Sequence, residues 1–288
     1  MSLPSDRHAD ATASVVRYYD THPINETQIL RALADRGIDP EAVTASELSL
    51  HDQDHFGGLD ANDLLIAAAG IRRDHRVLDV CSGMGGPSRY LAHRVGCTVV
   101  GLDLTESRVD AARRLTQRVG LDDRVSFHLG SALDMPFDDA SFDVVIGQEA
   151  WCHVPDKARL VAECARVVKP GGVIAFTDIL WRDGLTDDDM DRLAREMTFP
   201  VLGSLDGYRR LLEESGCTVE LAEDLSPLWT RILQDRLAMY RSLGGETARQ
   251  FGNERSAGWD AAYAFFVGLY EQGRLGGGRF VARRSAAA

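Results

Sequence analysis

At 288 residues the chain is long enough for one large domain with a full core, or for two small ones. Its 44% hydrophobic and 26% charged residues exclude a disordered chain and match a folded, water-soluble one. A net charge of −12 with no Lys/Arg stripe argues against a nucleic-acid partner and is compatible with a cationic small substrate.

The opening residues, MSLPSDRHAD, have neither the basic n-region nor the apolar h-region of a secretory leader. No apolar run approaches the ~20 residues of a membrane span. Cys81, Cys97, Cys152, Cys164 and Cys217 are scattered, odd in number and free of CxxC spacing. They read as reduced thiols of a cytoplasmic protein, with no disulfide and no metal site. Residues 1–12 are polar and expected to fray. From Thr12 to Gly70 the pattern is helical in separable pieces, ATASVVRYYDTH, NETQILRALADRG and DANDLLIAAAG, with Gly37 and Gly70 as helix stops.

After Ile71 the texture changes to alternating strands and helices. RVLDV, TVVGLDL, VSFHLG, FDVVIGQ and GVIAFTDIL read as strands. Between them, ESRVDAARRLTQRVG places Ala111, Leu115 and Val119 on one face, and DKARLVAECARVVKPGG does the same with Leu160, Val161, Cys164, Val167 and Val168. Thr105 and Asp156 are the expected N-caps. The stretch from Trp181 to Leu205 reads as helical and acidic. A helix, a Gly stop and a strand follow in SLDGYRRLLEESGCTVELAEDLS. Two further helices are expected in LWTRILQDRLAMYRSL and AAYAFFVGLYEQGRL, and a last strand in GGGRFVARR. Strand and helix in alternation predict an α/β fold: a doubly wound, mostly parallel, seven-stranded Rossmann-like sheet with helices on both faces. Ligands of such sheets bind beyond the carboxyl ends of the strands.

The first such end carries LDVCSGMGGPSRYLA. A dinucleotide fingerprint needs a third glycine, where this chain has Ser88. Asp79, at the strand end before the glycines, would face a pyrophosphate unfavourably, so a nicotinamide-dependent oxidoreductase is disfavoured. Asp103, ending the next strand, can accept both hydroxyls of a ribose. The pair asks for a ribose and positive charge without a pyrophosphate, as in S-adenosylmethionine. VLDVCSGMGGPSRYLA, VVGLDLT, GSALDMPFDDASFDVV and VVKPGGVIAFTDI, in that order, resemble the motifs of class I S-adenosylmethionine-dependent methyltransferases. The wider context (YYDTH, HFGG and PDK) is similar to the sarcosine/dimethylglycine, phospho-base and tocopherol/sterol groups of these enzymes.

The resemblance implies S-adenosyl-L-methionine as cofactor. Asp79, Ser82, Gly83 and Gly85 would line its methionine part, with Gln148 and Tyr18 beside it. Asp103 would bind the ribose, Leu104 would pack on the adenine, and Ala132 and Leu133 would form the adenine edge. Ser131 stands where the family often has an acidic residue. Residues 1–70 would form an N-terminal helical lid segment. Residues 71–288 would form the cofactor-binding domain, with a helical acceptor-side addition at about 181–270, all within one compact domain.

Methyl transfer from a sulfonium needs alignment above all, which can supply ~7–11 kcal/mol of the barrier. A base is needed only where the nucleophile arrives protonated. His153 and Glu149, after the fourth strand, and Tyr19, on the N-terminal segment, are the candidate catalytic groups; His153 is preferred as base because an ordinary histidine titrates at ~6.5. His55, Trp151 and Trp181 are candidates for the substrate side, and Trp151, Trp181 and Trp229 for an aromatic wall that binds ammonium groups. The expected acceptor is a small-molecule amine. Carbon or oxygen acceptors, and a non-catalytic cofactor-binding protein, are alternatives. Self-association is left open.

Overall fold

The computed structural model describes residues 8–22, 24–242, 245, 249 and 252–286. Seven runs rich in Val, Ile, Leu and Phe pair into one sheet: β1 (Arg76–Val80), β2 (Thr98–Asp103), β3 (Val125–Leu129), β4 (Phe142–Gln148), β5 (Val168–Trp181), β6 (Cys217–Asp224) and β7 (Leu275–Arg284). Their spatial order is β3-β2-β1-β4-β5-β7-β6. β1 to β5 are parallel to one another, and β7 runs antiparallel between β5 and β6. The inner strands are buried on both faces, which is why they read as continuous apolar runs.

Side chains alternate across the sheet into two layers. Leu78, Val80, Val100, Val145, Ile174 and Phe176 face α7 (Lys157–Val167) and α9 (Leu205–Glu214). Val77, Val99, Val144, Ile146 and Ala175 face α4 (Gly58–Ala69), α5 (Gly86–Val95) and α6 (Glu106–Arg118). Asp79, Gly101 and Asp103 share the period of this second set. Chain order reverses between β1 and β4, the switch point where a doubly wound sheet opens a crevice.

Further helices surround that crevice. α1 (His8–Asp20), α2 (Glu26–Ala34) and α3 (Ala45–Leu48) precede the sheet, and Ile29, Leu33 and Leu48 pack on Ala111 and Leu115 of α6. α8 (Asp187–Glu196) follows β5. α10 (Ser226–Ser242) and α11 (Asn253–Glu271) lie in the connection between the paired strands β6 and β7. They pack with α8 into a hydrophobic cluster that includes Leu193, Phe199, Leu233, Phe266 and Tyr270.

Several local expectations change. Residues 1–7, part of the segment expected to fray, lie outside the described residues, and α1 already begins at His8. Asp156 caps α7 by accepting from the Arg159 amide at 3.1 Å, but the Thr105 side chain caps nothing; its own amide is held by Asp103 Oδ1 at 2.9 Å. The acidic helix after Trp181 covers only Asp187–Glu196, because Thr198 (φ 57°) breaks it and Gly203 bridges to Leu180. The one-turn α3, closed by a Thr44/Glu47 capping box, is additional. Among the described residues no helix is long and apolar enough to cross a membrane.

Candidate functional site

At the switch point lies a cavity of about 890 Å³, toward the upper end of the ~300–1,000 Å³ range of small-molecule sites. Its inner wall is made by strand ends and the turns after them: Asp79, Ser82, Gly83, Asp103, Leu104, Ala132 and Leu133 all line it. Asp79 accepts the Ser88 hydroxyl at 2.6 Å, and burial pushes its carboxyl up to about 6. Asp103 Oδ2 accepts the Gly83 amide at 2.8 Å. Burial raises the Asp103 carboxyl too, and the Thr105 and Gly83 amides pull against the rise. The Thr105 side chain also bonds this carboxylate, which keeps acceptor capacity for a ribose hydroxyl.

The glycine turn is tight for reasons of packing. A Cβ on Gly85 (φ 76°) would stand 2.3 Å from the Phe127 ring, and one on Gly86 would stand 2.1 Å from the Asp52 carbonyl. Asp52 is pinned there by a buried ion pair with Arg89 at 2.8 Å. Gly85 therefore shapes the turn, and Gly83 and Gly86 on either side of it line the cavity. The Ser82 hydroxyl is buried and finds no partner within the described chain. An unpaired buried hydroxyl costs ~1–3 kcal/mol, a deficit that a polar ligand atom removes. These features fit the methionine and ribose portions of S-adenosylmethionine.

The outer wall carries the groups expected to be catalytic. The Tyr19 hydroxyl and His153 Nε2 are 2.8 Å apart. His153 Nδ1 faces the Thr198 carbonyl at 3.1 Å, which assigns the proton to Nδ1 and leaves Nε2 to accept from Tyr19. Burial depresses His153 to about 4, well below its expected titration, so it is neutral at pH 7 and a weak base. The turn that bears it, Trp151–His153, rests on buried charges: Lys157 donates to the Val154 carbonyl at 2.7 Å, and Asp178 accepts the Cys152 amide at 2.9 Å.

Glu149 is held by the Thr177 hydroxyl at 2.6 Å and by the Phe56 amide. Its φ of 48° is a left-handed conformation that costs a non-glycine residue on the order of 1 kcal/mol. Burial pushes its carboxyl up to about 7. His55, expected at the mouth, is instead buried in the wall, bonded to Gln53 at 3.0 Å and Gln148 at 3.3 Å, and burial lowers it to about 4. Tyr18 lines the cavity with its ring 5.3 Å from that of Tyr19, and burial raises its hydroxyl to about 12.

The tryptophan wall is not formed. Trp151 is fully buried, stacked 4.0 Å from Phe176 in a slot left open by Gly147. Trp181 is 41% exposed at the end of β5, and Trp229 packs over Gly277 beneath Phe56. None of the three lines the cavity. The aromatic surface comes instead from Phe56, Phe199, Tyr240, Trp259, Tyr263 and Phe266. Asp54, beside His55, is exposed on the same wall, and among the described residues no ion pair within 4.0 Å engages it. Tyr240 lies on α10, and Trp259, Tyr263 and Phe266 lie on α11, so sequence patterning offered no signal that they reach the strand ends.

A family model described as "Methyltransferase domain" matches residues 78–176. Methyltransferase GfsG of Streptomyces halstedii is 33% identical over 62% of this chain and 67% of its own. The 27-O-demethylrifamycin SV methyltransferase of Amycolatopsis mediterranei is 34% identical over 67% of this chain and 70% of its own. The 24-methylenesterol C-methyltransferase 2 of Oryza sativa is 36% identical, but the match spans only about half of that protein, 52%. Among solved structures, the fold is shared with a putative sarcosine dimethylglycine methyltransferase from Galdieria sulphuraria (TM-score 0.74, 24% identity, 91% of this chain and 99% of that one). It is also shared with a Haemonchus contortus phosphoethanolamine N-methyltransferase 2 in complex with S-adenosyl-L-methionine (TM-score 0.76, 20% identity, 94% and 60%).

Proposed function

The chain belongs to the class I S-adenosylmethionine-dependent methyltransferases, and on that premise we propose that it methylates the nitrogen of a small-molecule amine. One observation carries the reading: a single cavity joins the Asp79–Asp103 wall to Tyr19, His153 and Glu149. When bound, the cofactor supplies an electrophilic methyl group on a leaving group that needs no acid. The chain has to align the acceptor, exclude water and accept a proton.

An ammonium acceptor must lose a proton before its nitrogen has a lone pair. Glu149, titrating near 7, is matched to that task at neutral pH. Histidine 153, titrating near 4, is not, so its proposed role passes from base to orienting group: it fixes the Tyr19 hydroxyl against the cavity. Asp54 supplies the counter-charge for an ammonium as it enters. Asp79 does the same for the amino group of the methionine part. The residues before Gly70 and those of α10 and α11, which close the outer wall, take the proposed part of lid and acceptor-side addition.

The test is transfer of a labelled methyl group from S-adenosylmethionine to matched amines, phenols and carbon acids, with S-adenosylhomocysteine measured alongside. Label on nitrogen is the expected result. Label only on oxygen or carbon would overturn the amine assignment, and tight S-adenosylhomocysteine binding without any transfer would favour a non-catalytic protein.

A further inference from the structure

The outer part of the cavity is walled by a hydrophobic cluster of the fold itself. Phe56, Met197, Phe199, Leu237, Tyr263 and Phe266 belong to that cluster, and each also lines the cavity. A small polar acceptor would leave this surface wetted, whereas a cavity of about 890 Å³ has room for a cofactor and a second molecule of some bulk.

Among the described residues, the four guanidinium groups that line the cavity, those of Arg31, Arg108, Arg236 and Arg241, are each engaged by the protein itself. Carboxylates and phosphates are best held by a forked guanidinium free to give two parallel hydrogen bonds. Arg108 donates to the Ile24 and Tyr19 carbonyls at 2.7 and 3.0 Å. Arg236 donates to the His55 carbonyl at 2.6 Å and lies 5.0 Å over the Phe56 ring, and Arg241 pairs with Asp260 at 2.8 Å. Asp54 and Glu149 would repel an anion from the same space. The Tyr263 hydroxyl is buried in this wall beside Arg236, and its proton reaches no acceptor among the described residues.

We infer that the acceptor carries a bulky apolar body and no anionic group: an aryl- or alicyclic-substituted amine whose body lies against Phe199, Leu237, Tyr263 and Phe266. The reactive nitrogen rests on the methyl-transfer reading above, while the apolar body rests on the cavity wall alone. Small zwitterions and phospho-bases fall outside this class, although proteins named for such substrates share the fold.

The probe is N-phenyl-1-naphthylamine, an uncharged arylamine that fluoresces in apolar sites, titrated into the full chain saturated with S-adenosylhomocysteine. Saturable binding is expected, undisturbed by millimolar dimethylglycine or ethanolamine phosphate. Ala262 lines the outer wall on α11, and Ala262→Trp should weaken the probe at least 10-fold while S-adenosylhomocysteine affinity, read by calorimetry, changes less than about 2-fold. Ala257→Trp narrows the same wall and replaces the first variant should that one fail to fold. No probe binding to the saturated protein, displacement by either small polar amine, or indifference to the tryptophan variant would overturn the inference. Failure of S-adenosylhomocysteine to bind while the probe still does would sink the methyl-transfer reading and leave the apolar chamber standing.

Discussion

Replacing Glu149 by glutamine should make the protein more stable at alkaline pH and leave it nearly unchanged in acid. In the native chain burial raises this carboxyl from 4.5 to about 7. The native state therefore binds its proton more tightly than the unfolded state. The cost of ionising it is absent below pH ~4.5, grows as pH rises, and is complete above pH ~7, where it reaches about 3 kcal/mol. Between roughly pH 5 and pH 8 this one group removes about 2.5 kcal/mol of stability, or about 4 °C in Tm for a chain of this size. Glutamine is nearly isosteric: its Oε1 can accept the Phe56 amide while its Nε2 donates to the Thr177 hydroxyl, so both anchors survive. Thermal melts of wild type and Glu149→Gln without ligand, at both pH values, give the comparison. The gap between them should widen by about 4 °C toward pH 8. Parallel pH profiles, whatever their offset, would show that Glu149 does not titrate as its burial requires.

S-Adenosylhomocysteine at about 100 times its Kd should stabilise the native chain by ~2.7 kcal/mol, while NAD at the same concentration leaves Tm unmoved; a shift with NAD would revive the dinucleotide reading of the glycine turn. Asp103→Ala should weaken S-adenosylhomocysteine about 10- to 100-fold, the loss of charge-assisted hydrogen bonds worth ~1.5–3 kcal/mol, and unchanged calorimetric affinity removes Asp103 from the ribose site. Because burial brings Asp79 to about 6, cofactor affinity should fall as pH drops below that value and its countercharge is lost. Asp79→Asn should bind more weakly throughout and show a flat profile, and a slope that persists in that variant assigns the titration elsewhere.

The sheet was legible in the sequence because its information is local. FDVVIGQ is the strand Phe142–Gln148 to the residue, and its buried Val, Ile and Phe announce both the strand and its two-sided burial. The inner wall was legible for the same reason: Asp79 and Asp103 sit at strand ends, where position along the chain fixes position in the cavity. The outer wall is set by contacts between distant segments. Trp151 looks like a loop aromatic until Gly147 and Phe176 give its indole a slot, and Trp229 is drawn inward by Gly277 on β7. His153 was expected to titrate as an exposed imidazole does, but Tyr19, 134 positions earlier, and Thr198 enclose it. The helix α3 escaped notice because four residues carry too little periodicity to register.

β6 and β7 are antiparallel neighbours that a two-residue hairpin could join. Here α10 and α11 stand in that connection, and they supply Leu237, Tyr240, Tyr263 and Phe266 to the outer wall. The strand pairing that anchors this excursion involves neither Asp79 nor Asp103. The excursion is in effect a removable cassette: its length and composition can drift, or be transplanted, with both ends still clamped by the same ladder. If α10 and α11 hold the acceptor as proposed, exchanging the β6–β7 excursion alone would change acceptor preference and leave the Asp79–Asp103 wall intact.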